Sequence, residues 1–168
     1  MSETKNGFTV EGATTLRLIV GDCRESLRSM TAESVQCCVT SPPYWGLRDY
    51  GHEGQLGLEK TPEEYVANMV DVFREVRRVL RNDGVLWLNL GDSYFGGGYS
   101  NHDINGESWK LRMNGDKRAS RQNDIKKANP GIKPKDLVGI PWRVAFALQS
   151  DGWWLRQDII WCLSGGAW

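Results

Sequence analysis

TPEEYVANMVDVFREVRRVLRNDGVLWLNL, residues 61–90, is the stretch that determines the predicted fold class, because it joins a helix to a strand. Thr61 and Pro62 followed by two glutamates are typical of a helix start, since a hydroxyl caps the first turn and acidic side chains favour its positive end. The helix is predicted to run to about Leu80, with one apolar face. That face contains Tyr65, Met69, Phe73 and Val76, which we expect in the core.

The residues after this helix predict a turn at Asn82-Asp83-Gly84 and a strand over residues 85–90. The strand is almost entirely apolar, which is typical of a sheet covered on both faces. Other apolar runs predict strands at 16–20, 35–40 and 153–161 and helices at 24–30 and 136–149. This order predicts an α/β domain with a mainly parallel sheet.

Composition excludes several classes of protein. The 168 residues are 40% hydrophobic and 25% charged, as expected for one domain with a core of its own. No apolar run approaches the roughly 18 residues that a membrane span needs, and the first residues contain no secretion signal. We therefore expect a cytoplasmic protein without a membrane partner. The four cysteines lack CxxC spacing and both histidines lie in polar surroundings, so no metal site is predicted.

Three polar segments follow predicted strands, at the sheet edge where α/β proteins bind ligands. They are Gly21-Asp22, residues 41–45 and residues 91–94. The second segment begins Ser41-Pro42-Pro43-Tyr44, and its two prolines fix the backbone and donate no N–H. Carbonyl oxygens and the serine hydroxyl remain as rigid acceptors beside an aromatic ring.

Such an acceptor array suits a planar heterocycle with an exocyclic amino group. Two acceptors can hold both N–H bonds out of the ring plane and free the nitrogen lone pair for attack. A base in duplex DNA must be flipped out to reach a site of this kind. A proline turn whose aromatic rings pack into the core is the alternative interpretation of the same residues.

A basic segment lies between residues 110 and 135, where nine basic and two acidic residues give a net charge of +7. Because the whole chain is neutral, the rest carries −7, and this division predicts a polyanionic partner. The residues expected to contact DNA phosphates are Lys117, Arg118, Arg121, Lys126 and Lys127. A solvated loop without a partner is the alternative.

Residues 40–45, TSPPYW, resemble the catalytic motif of the amino-group DNA methyltransferases, which methylate cytosine N4 or adenine N6 with S-adenosylmethionine. Four further segments resemble family segments in the same order, at residues 20–27, 79–94, 135–143 and 158–161. The resemblance implies a Rossmann-like methyltransferase fold, S-adenosylmethionine as cofactor and double-stranded DNA as partner.

The resemblance also implies roles for single residues. Ser41 and a carbonyl of Pro42 or Pro43 would contact the target amino group, and Tyr44 would stack on the flipped base. Serine at the first position of the motif favours cytosine N4 in this family, and adenine N6 is the alternative target.

Three polar residues would contact the cofactor: Asp22, Asp92 and Ser93. An aspartate after a strand also serves as a turn or helix cap, so this alternative stays open for Asp22. The family's Phe-x-Gly-x-Gly cofactor loop lies downstream in the permuted arrangement that fits this chain. Phe95-Gly96-Gly97-Gly98-Tyr99 lacks the final glycine and follows the wrong strand, so it is not predicted to be that loop.

The family's Lys-Pro-Asn continuation is replaced here by CLSGGAW at residues 162–168, which predicts a fold that is incomplete at the C-terminus. The expected organisation is a polar tail at 1–15, a catalytic part at 16–161 with a basic flexible insertion at 96–134, and an aberrant tail at 162–168. A complementing C-terminal half or a homodimer is the expected protein partner. An inactive remnant that only binds DNA is the alternative function.

Overall fold

The computed structural model describes residues 7–10, 14–95 and 131–161, and their side chains from residue 16 onward. The chain divides into two compact units, of which the first contains Met1–Val39 and Asp71–Trp87 and the second Thr40–Val70 and Leu88–Trp168. No helix in these described ranges is long and apolar enough to cross a membrane.

The first unit begins with an antiparallel hairpin of β1 (Gly7–Val10) and β2 (Thr14–Arg17). Gly7, the first residue of β1, pairs with Arg17, so β1 provides no partner for residues after Arg17. The prediction of a strand over residues 16–20 is therefore wrong for residues 18–20, because a strand needs a neighbour for its backbone hydrogen bonds. The hairpin also places strand residues within the segment 1–15 that the sequence predicts as a polar tail.

A short helix, α1 (Cys23–Arg28), precedes the strand pair β3 (Val35–Thr40) and β4 (Leu80–Leu88). The Ser34 N–H donates to the Val79 carbonyl, and the Asn89 N–H donates to the Thr40 carbonyl. Partners thus advance together along both strands, which makes the pair parallel. The predicted α/β class and parallel pairing are confirmed.

Strand β4 begins at Leu80, so the residues of the predicted turn, Asn82-Asp83-Gly84, lie inside the strand and not before it. A Cβ at Gly84 would lie only 3.1 Å from the Gln36 carbonyl oxygen, which shows how closely this part of β4 approaches β3. The same Cβ would lie 2.9 Å from the Arg81 carbonyl oxygen, three residues earlier, so the chain also bends here within β4.

The prediction that the sheet is covered on both faces is not met by the described residues. The side chains of Val39, Val85 and Trp87 are all at least half exposed. Apolar side chains on both strands of the pair are thus left in contact with solvent.

Helix α2 (Pro62–Val79) contributes residues to both units and follows the predicted boundaries closely. The Thr61 hydroxyl accepts from the Glu64 N–H at 3.1 Å, and the Glu64 carboxylate accepts from the Lys60 N–H at 3.0 Å. These reciprocal bonds form the predicted helix start. The predicted core face is also confirmed, because Tyr65, Met69, Phe73 and Val76 are all buried.

Helix α3 (Ile140–Ser150), in the second unit, begins four residues later than predicted. The residues before it pair instead with the segment after β4. The Phe95 N–H donates to the Asp136 carbonyl and the Lys135 N–H to the Phe95 carbonyl, both at 2.7 Å. These bonds join the residues before α3 to Phe95 and keep them out of the helix, and Pro141 then occupies the first helical turn, where no N–H is needed.

Residues 153–161 form no strand, which corrects the prediction of a final strand there. The described residues offer this segment no strand partner, and an apolar alternation becomes a strand only beside one. Its large apolar side chains are consequently exposed at Trp154, Ile159, Ile160 and Trp161.

Candidate active site

The predicted catalytic loop leaves β3 at Ser41 and is anchored to helix α2. The Tyr65 hydroxyl donates a 2.9 Å hydrogen bond to the Pro43 carbonyl, and the Tyr65 side chain is fully buried. Burial is the main reason that the pKa of Tyr65 is raised, and the nearby Glu59 and Tyr44 raise it further. The Tyr65 hydroxyl therefore stays protonated and remains a donor. This bond fixes a loop that two prolines already make stiff.

The side chains of Ser41, Tyr44 and Asn89 form one chain of hydrogen bonds. Ser41 Oγ and Asn89 Nδ2 both donate to the Tyr44 hydroxyl oxygen, each at 3.2 Å. Because the Ser41 proton is used in this bond, the lone pairs of its oxygen remain free to accept. Ser41 is thus held in the state that an acceptor for an amino group requires.

Two glycines allow the backbone to pass close to Tyr44. A Cβ at Gly91 would lie 2.7 Å from Cε2 of the Tyr44 ring, and a Cβ at Gly57 would lie 2.8 Å from the Tyr44 carbonyl oxygen. Gly57 also has a φ of +88°, in the left-handed region that favours glycine. A side chain at either position would displace the loop.

A cleft of about 320 Å³ opens beside this network. Its volume lies at the lower end of the range for small-molecule sites, which suits a single base. All four predicted catalytic residues contribute to the cleft, whose lining is Ser41, Pro42, Pro43, Tyr44, Leu47, Arg48 and Tyr50.

Trp45, the next residue of the loop, is a core residue. Its side chain is buried, and its indole N–H donates to the Glu59 carbonyl at 3.0 Å. Tyr44 is only partly buried and lines the cleft. The alternative in which the aromatic rings pack into the core therefore applies to Trp45 and not to Tyr44.

Asp22, in the first unit, caps helix α1. Its Oδ1 accepts from the Arg24 N–H at 2.7 Å, and both carboxylate oxygens contact the Arg24 guanidinium. These bonds to Arg24 lower the pKa of Asp22 to about 2. The helix-cap alternative for Asp22 is thus what the geometry shows.

Asp92, in the second unit, caps helix α3 across the chain. Its carboxylate accepts from the Ser93, Gly139 and Ile140 N–H groups at 2.8 to 3.1 Å. Gly139, which precedes the helix, provides no capping side chain of its own. Asp92 therefore satisfies the first N–H groups of α3 and places a negative charge at the positive end of that helix.

Two further residues of this site, Asn89 and Tyr65, are absent from the site residues predicted from the sequence. Asn89 is detectable in principle, because it is the one polar residue in the run VLWLNL. Tyr65 is not, because it lies on the apolar face of α2 and meets Pro43 only through the tertiary fold.

The five basic residues predicted to contact DNA, Lys117, Arg118, Arg121, Lys126 and Lys127, lie outside the described residues. In the part of the chain that is described, no group of three or more His, Cys, Asp and Glu side chains is arranged to hold a metal ion.

Comparisons with known proteins agree on a family. A family model described as DNA methylase, for N6 and N4 methyltransferases, matches residues 35–167. The chain is 52% identical over 146 residues to the type II methyltransferase M.SmaI of Serratia marcescens, and 47% identical over 155 residues to M.Cfr9I of Citrobacter freundii.

These matches cover 86% and 90% of the chain but 47% of each relative, so the chain spans about half the length of the curated relatives it matches. No solved structure matches the chain significantly. The matched residues include β3, the Ser41 loop, β4 and α3. The chain belongs to the N6/N4 DNA methylase family.

Proposed function

We propose that this chain carries the catalytic part of an enzyme that transfers a methyl group from S-adenosylmethionine to the exocyclic amino group of a flipped DNA base. One observation carries the proposal: Ser41 Oγ and Asn89 Nδ2 both donate to Tyr44, beside a cleft suited to one base. Family membership and 52% identity to a type II methyltransferase support the same reaction.

Ser41 Oγ and the Pro42 carbonyl are the proposed acceptors for the two N–H bonds of the amino group. The Pro43 carbonyl already accepts from Tyr65, whereas no described group donates to the Pro42 carbonyl. Two such bonds favour a tetrahedral nitrogen whose lone pair is no longer delocalised into the ring. The nitrogen has one proton to lose after the transfer, and this proton passes to water, because Ser41 Oγ is a neutral hydroxyl that acts only as a hydrogen-bond acceptor. Tyr44 stacks on the base.

The cofactor, when bound, supplies the electrophilic methyl group. Asp22 keeps acceptor capacity beyond its bonds to Arg24, and the Ser93 hydroxyl has no partner among the described residues, so both fit the donor groups of the cofactor. Both aspartates already accept through both oxygens, but Asp92 fits less well, because it accepts from three backbone N–H groups, whereas the side-chain bonds of Asp22 come from Arg24 alone. We assign Ser93, in the second unit, to cofactor contact and Asp92 to holding the Ser93 segment against α3. A cofactor contact of Asp22, in the first unit, is a separate proposal, and a Rossmann-like fold is the proposed fold class.

Cytosine N4 is the proposed target, because serine occupies the first position of the motif, and adenine N6 is the alternative. The test expresses the chain together with the remaining residues of M.SmaI, supplies labelled S-adenosylmethionine and mixed-sequence duplex DNA, and then separates the hydrolysed nucleosides. We expect label in N4-methylcytosine, lost in Ser41→Ala and retained in the matched control Ser150→Ala. Label in N6-methyladenine would reassign the target, and transfer that survives Ser41→Ala would contradict the acceptor role.

The predicted duplex contacts of the basic segment are tested by salt dependence. Removing one basic side chain that binds a phosphate should reduce the slope of log affinity against log salt by about 0.9. The double variant Lys126→Gln, Lys127→Gln should therefore lower the slope by nearly two. An unchanged slope would show that these two lysines do not contact DNA phosphates.

The exposed apolar residues Trp154, Ile159, Ile160 and Trp161 supply a surface for a protein partner. We propose that this partner is polypeptide equivalent to the part of the relatives that the chain does not span. The test expresses the chain together with the remaining residues of M.SmaI and measures copurification and methyl transfer. If the chain forms a stable homodimer without the added polypeptide, the second copy of the chain is the partner instead. If either assembly binds DNA but transfers no methyl group, the alternative of a protein that only binds DNA is favoured.

A further inference from the structure

The loop between Gly46 and Gly57 is closed on itself, and the proposed reaction does not explain why. The Gly46 N–H donates to the Gly57 carbonyl at 2.8 Å, so the two ends of the loop meet. Gly51 and Gly54 within the loop have φ values of +76° and +75°, which permit tight turns there. The loop therefore has a defined path rather than a loose one.

Gln55 fixes the middle of this loop with both ends of its side-chain amide. Its Oε1 accepts from the Tyr50 N–H, and its Nε2 donates to the Arg48 carbonyl, each at 2.7 Å. The Asp49 carboxylate accepts from the Gly51 N–H at 2.8 Å, so it is engaged within the loop. The backbone of residues 48–50 is thus held on both sides.

What the loop presents is the side chain of Arg48, which lines the same cleft as Ser41 and Tyr44. Arg48 is exposed, and its guanidinium makes no hydrogen bond or ion pair with the residues that the structure describes. No acidic side chain lines the cleft. A positive charge at the opening of a cleft whose lining contains no acidic side chain is suited to bind an anionic group of the ligand.

We propose that Arg48 contacts the backbone phosphate of the nucleotide whose base enters the cleft, and that Gln55 is a positioning residue for it. The inference rests on the proposed function, since it assumes that a flipped base stacks on Tyr44. A base inside a small cleft leaves its phosphate at the rim, and a planar guanidinium can bind two phosphate oxygens at once. Such a contact fixes position and carries no sequence information.

The test uses a fluorescent single-stranded pentanucleotide, TTCTT, whose only amino-bearing base is the central cytosine. In matched probes, the phosphate on one side of the cytosine is replaced by a neutral methylphosphonate. We expect this replacement to weaken binding to the unmodified chain roughly fivefold on one side. Arg48→Gln should bind more weakly and lose its sensitivity to the replacement, whereas Arg48→Lys should keep part of that sensitivity.

Arg28→Gln is the matched control, because Arg28 is exposed, lies in the first unit and carries the same charge. It should leave the sensitivity unchanged. Gln55→Leu should reduce the sensitivity of binding to the methylphosphonate replacement, although Arg48 is still present. If Gln55→Leu keeps the melting temperature of the unmodified chain, a purely structural role of Gln55 would not explain this reduction. Equal sensitivity in Arg48→Gln and the unmodified chain would overturn the proposal.

The proposed function fails by a different result. If Tyr44→Ala binds TTCTT as tightly as the unmodified chain does, the base does not stack in the cleft. Tyr44→Ala can weaken binding while the losses caused by Arg48→Gln and by the methylphosphonate are additive. Additive losses show that the arginine and the phosphate do not interact, so only the phosphate contact is then wrong.

Discussion

Tyr65 in helix α2 donates its hydroxyl proton to the carbonyl oxygen of Pro43, 22 residues earlier in the chain, at 2.9 Å. Tyr65 belongs to the buried face of the helix, whereas Pro43 belongs to the loop that lines the cleft. The packing of α2 therefore sets the path of the loop through one hydroxyl group. Changes to this hydroxyl should affect stability and site geometry together.

Tyr65→Phe should lower the free energy of unfolding by about 1–2 kcal/mol, because the Pro43 carbonyl loses its donor in a buried setting. Urea unfolding measures the change. Tyr94→Phe is the matched control, since the Tyr94 side chain is 64% exposed. Equal stability of Tyr65→Phe and the unmodified chain would show that the hydroxyl contributes nothing.

The raised pKa of Tyr65 predicts a loss of stability at alkaline pH. An unfolded tyrosine loses its proton near pH 10, whereas the folded protein holds the Tyr65 proton to higher pH. The contribution of the neutral hydroxyl is therefore complete below pH 10 and decreases as pH rises above it. The stability difference between the unmodified chain and Tyr65→Phe, measured from pH 7 to pH 11, should shrink above pH 10. A constant difference would contradict the raised pKa.

Gly91→Ala should destabilise the fold by about 1–3 kcal/mol, because the added methyl group overlaps the Tyr44 ring. Most of this cost should disappear when Tyr44 is also replaced by alanine, since the clash is then removed. Gly131→Ala is the control, because a Cβ there meets no atom within 4 Å. If Gly91→Ala lowers the free energy of unfolding equally in the presence and absence of the Tyr44 ring, the added methyl group does not clash with Tyr44.

Asp22→Asn should keep an N-cap oxygen but lose the ion pair with Arg24, which is partly exposed. We expect a loss of about 0.5 kcal/mol at neutral pH. Because the folded pKa of Asp22 is about 2 and its ordinary value is 3.8, this contribution is present above pH 4 and is lost as pH falls towards 2. Titration of the Asp22 carboxyl by NMR gives the direct measurement, and a pKa near 3.8 would exclude the charge-assisted cap.

Asp92→Ala should destabilise helix α3 by about 1 kcal/mol, because the Gly139 and Ile140 N–H groups lose their acceptor. Hydrogen exchange at these two amides should become faster. Asp71→Ala, which removes an exposed ion pair with Arg74, is the control with a smaller expected effect. Unchanged exchange at Gly139 in Asp92→Ala would rule out the cap.

The elements that the sequence predicts correctly are those whose causes are local. Helix α2 has its cap, its acidic first turn and its apolar face within 20 residues, and each is observed. The wrong predictions concern partners that are distant in the chain. Gly84 has the local pattern of a turn, but its bend lies inside β4 because β3 lies beside it. Residues 153–161 have the pattern of a strand but no strand neighbour among the described residues.

The candidate site divides in the same way. Ser41 and Tyr44 lie within four residues of chain, with two prolines between them, so the sequence motif is sufficient to predict that they lie together, as they do in the lining of one cleft, whereas their role as acceptor and stacking ring stays a prediction. The orientation of the Ser41 hydroxyl depends on Tyr44 and Asn89, which meet across 45 residues. The capping contact of Asp92 with Gly139 spans 47 residues and is equally invisible to sequence patterns.

The pairing of Phe95 with Lys135 and Asp136 has a consequence for how members of this family can diverge. Two backbone hydrogen bonds join the chain just before residue 96 to the chain just after residue 134. A connection whose ends are bonded to each other can change in length at small cost, since each doubling adds only about 0.6 kcal/mol of closure entropy. The length of the connection between residues 96 and 134 can therefore change without altering the two hydrogen bonds that close it.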